Sequence, residues 1–380
     1  MSKILTGGGQ KPPAKQRESN LDLLRGLCAV FVVFEHFCET SAHNAFGYTL
    51  NSSMPAHILL RLMYGIARTA VPVFFLLSGY LSINSQKQKL GKVINLFIMT
   101  GVYSFIPYFA SCLNKWLDGE GTFSIYQMIR SVFPQNYYLY LFCALYTFSP
   151  FLNQALKNLS RKNYQRLCII LFLLFSLWST LINTLNSIMG NMETTGWYFT
   201  SRTGTSMGFN IAIFTMMYII GGYLHLYYKP NKRRDVLLSL VILLCSTSIT
   251  TVGKIITPTL AKAFLYYDSV FVILPAVAMM ILFINIHVKQ NKLITFMGVH
   301  TFGTFLIHGF ANNCIEKLIT IENVVSTGFT GAMLGVLIFV IGVYILVLFM
   351  TSILELIATP INKKWKAMNL YNFQFWYNED

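Results

Sequence analysis

Ten runs of roughly twenty apolar residues divide this chain, and a polypeptide built that way cannot present an ordinary water-facing surface. The runs fall near 20–41, 58–83, 93–112, 137–156, 167–188, 205–228, 236–253, 263–287, 293–315 and 327–355. In hydrocarbon each main-chain N–H and C=O must be satisfied by its own segment, which for runs of this length means helix. The expected fold is all-α, a polytopic integral membrane protein of about ten transmembrane helices. An even number of spans puts both termini on one side, and Lys and Arg decide which side that is. Of the 29 such residues, twenty lie on the side of the termini, eight lie on the other, and Arg25 sits inside the first run. Both ends are therefore expected in the cytoplasm, with the chain a multi-pass protein of the cell (inner) membrane.

Residues 1–19 are polar, basic and rich in Gly and Pro, and no small-residue cleavage site follows the first apolar run. They are expected to form a disordered cytoplasmic tail, followed by a transmembrane domain over 20–358 and a cytoplasmic C-terminal tail over 359–380. With 54% hydrophobic and 11% charged residues the chain falls outside the soluble globular class. A net charge of +15 would suit nucleic acid, but the basic residues cluster between apolar runs, as topology requires. The seven cysteines are scattered and lack the paired spacing of a zinc site, so no metal is expected.

The first run is unlike a simple anchor, because it carries Asp22, Arg25, Glu35 and His36. Each ionisable group at bilayer depth costs at least about 2.5 kcal/mol, so a polar interior is expected to use them. Arg25 and His36 are eleven residues apart, which on a helix returns to nearly the same face with a rise of about 16 Å. Asp22 lies one turn before Arg25 and can hold its guanidinium. Counting residues from the cytoplasmic ends puts His36, Arg68 and His308 in one layer, with Glu35 the natural partner of Arg68. Arg25, Ser78, Lys87, Lys89 and Lys92 gather at the cytoplasmic end, where they suit a phosphate-rich ligand, although for the lysines the positive-inside rule is by itself the better account. Imidazole as a chemical group titrates near neutrality, which makes His36 a candidate general base or acyl carrier. The loop residues Trp116, Trp197, Tyr198 and Arg202 could roof an outward cavity, but the tryptophans fit an interfacial aromatic belt better.

Four stretches, in order, resemble motifs of the acyltransferase family 3 membrane proteins. They are LDLLRGLCAVFVVFEHF, with its Arg, ten residues and His; RTAVPVFFLLSGYL at 68–81; YYLYLFCALYTFSPFL at 137–152; and TFGTFLIHGF at 301–310. The resemblance implies transfer of an acyl group, usually acetyl, from cytoplasmic acyl-coenzyme A to a hydroxyl of a cell-envelope glycan or lipid-linked sugar. It implies His36 as the catalytic residue and Arg25 as its motif companion. Where many members have an Arg-x-x-Arg pair entering the third span, this chain has Lys89 and Lys92, which meet a phosphate without bidentate geometry. The expected assignments are His36, Glu35 and Arg68 for catalysis; Arg25, Asp22, Ser78, Lys89 and Lys92 for acetyl-CoA; and His308, Tyr140 and Arg202 for the acceptor. The twenty-one residues from Pro360 are expected to form no hydrolase-like domain, so the membrane domain or a partner is expected to handle the acceptor. A secondary transporter or flippase for a sugar or lipid is the rival reading, since it too keeps charges within spans.

Overall fold

The fold is known from a computed structural model that describes residues 18–39, 45–85, 88–119, 124–133, 137–189, 197–199 and 208–374. The expectations for residues 1–17, Lys87 and Arg202 lie outside the described residues. Helices fill the rest in the order α1 (Ser19–Glu39), α2 (Ala45–Ser52), α3 (Met54–Ala67), α4 (Ala70–Ser82), α5 (Leu90–Leu117) and α6 (Ile125–Val132). Next come α7 (Tyr137–Lys157), α8 (Arg161–Phe172), a π-helical turn at Leu173–Leu177, α9 (Trp178–Met189), α10 (Ile211–Tyr227) and α11 (Lys232–Ile256). The chain ends with α12 (Pro258–Phe264), α13 (Val270–Asn285), α14 (Lys292–Val299), α15 (Thr301–Glu316), α16 (Ile321–Val325), α17 (Gly328–Lys366) and α18 (Asn369–Asn372). Among the described residues the only β pairing is one isolated bridge between Lys89 and Gln374.

A helix occupies each of the ten apolar runs, yet fewer qualify as membrane spans by length and composition. Met54–Ser82, Leu90–Leu117, Arg161–Met189, Lys232–Ile256 and Gly328–Lys366 are long and apolar enough, and α14 with α15 makes a sixth if that pair, bent by 69°, is one span. Helix α1 has the length, at 21 residues, but carries too many charges to qualify. Helices α10 and α13 are apolar but shorter. The last helix also runs through Pro360 to Lys366, past residue 358, the limit expected for the transmembrane domain.

Two breaks interrupt these helices inside apolar runs. The second apolar run is broken at Arg68 and Thr69, because Pro72 has no N–H to give the preceding turn and its ring crowds the carbonyl four residues back. Thr69 Oγ1 donates to Ile66 O at 2.7 Å and seals the end of α3. The second break, at His300, divides α14 from α15.

Helix α4 is the centre of the bundle. Its side chains from Ala70 to Leu77 are all buried, as expected of a helix apolar on every side. Phe75 stacks on Phe214 of α10 with ring centroids 4.2 Å apart. Below them the two backbones touch. A Cβ on Gly79 would lie 1.9 Å from Tyr218 O, and one on Gly221 would lie 2.0 Å from Leu76 O. Packing through small residues is how helices associate where no hydrophobic drive between them exists. Helix α1 meets α14 in the same manner, with Gly26 against Met297 and Gly298 against Asp22.

Gly79→Ala and Gly221→Ala should each destabilise the bundle by about 1–3 kcal/mol or prevent folding, since main-chain atoms cannot step aside. Gly342→Ala, whose added carbon meets nothing within 4 Å, should be neutral. Thermal unfolding of the three variants in detergent checks this, and equal midpoints for all three would contradict the close approach.

Candidate active site

The break at Arg68 turns its guanidinium into the bundle, where it is 5% exposed. Its Nη1 meets the Glu35 carboxylate of α1 in a buried ion pair. Nε and Nη2 donate to Leu265 O at 3.0 and 2.8 Å, and Nη1 also donates to Tyr267 Oη at 3.2 Å. Tyr267 Oη in turn donates to the same Glu35 oxygen at 3.0 Å, and its ring lies 4.1 Å beneath the guanidinium carbon. Four of the five N–H groups of the guanidinium are thus engaged. The expected Glu35–Arg68 pair is present, but Arg68 has a single Nη2 hydrogen left for any substrate oxygen. Its main work is to tie α1, the α3–α4 break and the turn before α13 together.

Beside this knot, His36 of α1 and His308 of α15 stand with ring centroids 4.6 Å apart. Both line a cavity of about 560 Å³ that is also bounded by Glu35, Glu39, Arg68, Tyr137, Phe209 and Tyr267. His308 Nδ1 lies 3.0 Å from Thr304 O. A carbonyl oxygen only accepts, so Nδ1 carries the hydrogen and Nε2 presents a lone pair. Tyr64 Oη donates to Glu39 at the edge of this cavity.

A second cavity, of about 400 Å³, lies further along α1 and is lined by Arg25, Ser78, Lys92, Tyr138, Phe142, Gly298 and Phe302. Arg25 Nη1 donates to Asp22 Oδ1 at 2.7 Å, as the three-residue spacing predicts, and Asp22 is buried against Gly298. Arg25 itself stays 28% exposed, so its fork is held from one side and open on the other. Lys92 Nζ lies 4.5 Å over the Tyr146 ring. Ser78 Oγ faces the cavity but is already bonded to Phe74 O at 2.8 Å. Phe305 lines both cavities and packs on Tyr138 with centroids 4.5 Å apart, forming the wall between them.

Not every expected residue joins these cavities. Lys89 Nζ donates to Asn372 Oδ1 at 2.6 Å and sits over the Tyr371 ring, facing the C-terminal segment. Tyr140 is half exposed and packs on Phe97 with centroids 5.6 Å apart, outside the lining of either cavity. Among the roof residues, Trp116 is exposed and Tyr198 bonds Asn183, so neither lines the His36 cavity. Conversely, Tyr267, Tyr137 and Phe209 line the His36 cavity and Leu265 O anchors Arg68, although none of them is assigned a role from the sequence. A main-chain carbonyl leaves no mark in a sequence, and Tyr267 reads as one more aromatic in an apolar run. Among the described residues no three His, Cys, Asp or Glu are grouped to hold a metal.

A family model described as an acyltransferase domain matches residues 18–376. No curated protein and no solved structure matches the chain.

Glu35→Gln and Arg68→Gln should each destabilise the protein by about 3–5 kcal/mol, because each leaves a charge stranded in the interior. The double change should cost less than the two singles summed, since it strands neither. Strictly additive losses in a thermal-shift cycle would mean that the pair carries no coupling.

Proposed function

Because the chain belongs to the acyltransferase 3 family, we propose that it is a membrane O-acyltransferase moving an acetyl group from cytoplasmic acetyl-coenzyme A to a hydroxyl of a cell-envelope glycan or lipid-linked sugar. The observation that carries this reading is the pair of cavities meeting at Phe305, one bordered by Arg25 and Lys92, the other by His36 and His308. Phosphates of a coenzyme want fixed cations, and Arg25, braced by Asp22, offers a planar fork for them. The pantetheine arm would then point along α1 toward Phe305 and His36, and the acceptor would enter the His36 cavity from the opposite side. His36 supplies the imidazole for proton transfer as the acyl group changes hands, and Arg68 with Glu35 holds the walls around it.

Ten spans with both termini in the cytoplasm of an inner-membrane protein fit this direction of transfer. They put the basic loops and Arg25 on the side where acyl-coenzyme A is found, and the two histidines deeper in the bundle. The acceptor hydroxyl, presented by the membrane domain or by a partner protein, arrives from the other face.

His36→Ala should lower acetyl transfer by about 10²–10⁴-fold while leaving the thermal midpoint in detergent near that of the wild type. Near-normal turnover would remove His36 from the chemistry. Arg25→Lys should weaken acetyl-coenzyme A binding by on the order of tenfold, the cost of about 1.4 kcal/mol of lost charge-assisted contact, with little change in stability. Calorimetry reads both. Absence of coenzyme binding to the wild-type protein would favour the transporter reading instead.

A further inference from the structure

The His36 cavity contains one nitrogen whose state the fold itself determines. His308 is 6% exposed, and its Nδ1–H is committed to Thr304 O at 3.0 Å within its own helix. The other nitrogen, Nε2, is buried and has no hydrogen-bond partner, although His308 lines a cavity whose wall also includes Glu35, Glu39, Tyr137 and Tyr267. A buried polar atom left without a partner is costly, so such an atom at a cavity wall marks where a ligand atom belongs. The atom must be a donor, because the only thing Nε2 offers is a lone pair. A sugar or lipid hydroxyl meets that requirement. The reacting thioester group does not, since its carbonyl oxygen and its sulfur only accept and the coenzyme's nearest donor is an amide N–H two carbons beyond the sulfur.

We propose that His308 is a second catalytic residue, the base that takes the proton of the acceptor hydroxyl, leaving His36 to serve the coenzyme side; the inference rests on the acyl-transfer reading. As the hydroxyl oxygen bonds to the acyl carbon, its proton passes to His308 Nε2. The carbon–sulfur bond breaks with its electron pair leaving on sulfur, and the coenzyme departs as thiolate. The proton then passes from His308 to His36, whose ring centroid is 4.6 Å away, and from His36 to the thiolate. The products are the ester and free coenzyme A, and both imidazoles return to their starting state. Two imidazoles side by side divide the work that a single one would otherwise do in both directions.

Phe305 separates the Arg25 cavity from the His36 cavity and lies one helical turn before His308, with ring centroids 6.2 Å apart. His308 thus stands next to the wall that an acyl group from the Arg25 cavity would reach, and the lone pair on its Nε2, which only a donor can meet, is what assigns it to the alcohol.

The test uses the purified full-length protein in detergent and follows thiol release from acetyl-coenzyme A. Methyl glucoside or water supplies the hydroxyl in one arm, and hydroxylamine, whose attack on a thioester needs no base, supplies the nucleophile in the other. His308→Asn and His308→Gln keep an N–H for Thr304 O and remove the basic nitrogen. Both should lower the rate with a hydroxyl nucleophile by at least about a hundredfold, with KM for acetyl-coenzyme A unchanged. Both should leave the hydroxylamine rate within about threefold of wild type, where a merely structural loss would lower the two arms together. Equal losses in both arms, or no loss in either, overturn the assignment to His308 alone. Failure of the wild-type protein to release thiol with any of these nucleophiles overturns the acyl-transfer reading itself, and this inference with it.

Discussion

The guanidinium of Arg68 is almost wholly withdrawn from water, and much of the architecture around the His36 cavity follows from satisfying it. Removing such a group from solvent costs several kcal/mol, which only a full set of acceptors offsets. Here those acceptors come from two separate parts of the chain: Glu35 on α1, and the turn before α13, which supplies Leu265 O and, two residues on, Tyr267 Oη. Tyr267 closes the ring by donating to Glu35. An interaction that draws on separate segments at once sets their relative height more firmly than apolar packing, which tolerates sliding. The first helix is thereby registered against the rest, and His36, the residue next to Glu35, is registered with it.

Below that knot the bundle depends on how closely backbones approach. Gly79 and Gly221 let α4 and α10 meet main chain to main chain, and α4 becomes a fully buried central post. This post also borders both cavities beside α1, through Val71 on one side and Phe74, Leu77 and Ser78 on the other. Phe305 and Tyr138 divide them with aromatic rings. The bend of 69° between α14 and α15 belongs to the same economy of space, since it brings Gly298, Thr301 and Phe302 to the edge of the Arg25 cavity.

The C-terminal segment has a share in this layout. Leu90 N–H donates to Phe373 O at 2.9 Å, Trp365 Nε1 donates to Gly91 O, and Tyr371 fills the space over Gly91 where any side chain would collide. Lys89 is drawn into this contact through Asn372, while Lys92, one turn on, faces the Arg25 cavity. The two lysines, three residues apart, thus face different surroundings.

Much of this protein was legible in its sequence because hydrophobic length and helical period are local properties. The ten apolar runs predicted the helices, the three-residue spacing predicted the Asp22–Arg25 contact, and the cost of a lone buried charge predicted that Glu35 and Arg68 would meet. Motif order pointed to the family that the match over 18–376 shows. Tertiary structure alone decided the rest, since what remained depends on which faces of distant helices are turned together. It brought Tyr267 and a bare carbonyl to Arg68, left Tyr140 on a half-exposed face, and turned Lys89 to the C-terminal segment. It also set His308 beside His36 with its Nε2 unpartnered. Residue counting had put the two rings at one depth, but depth along a helix says nothing about rotation around it, and rotation is set only by packing against neighbours.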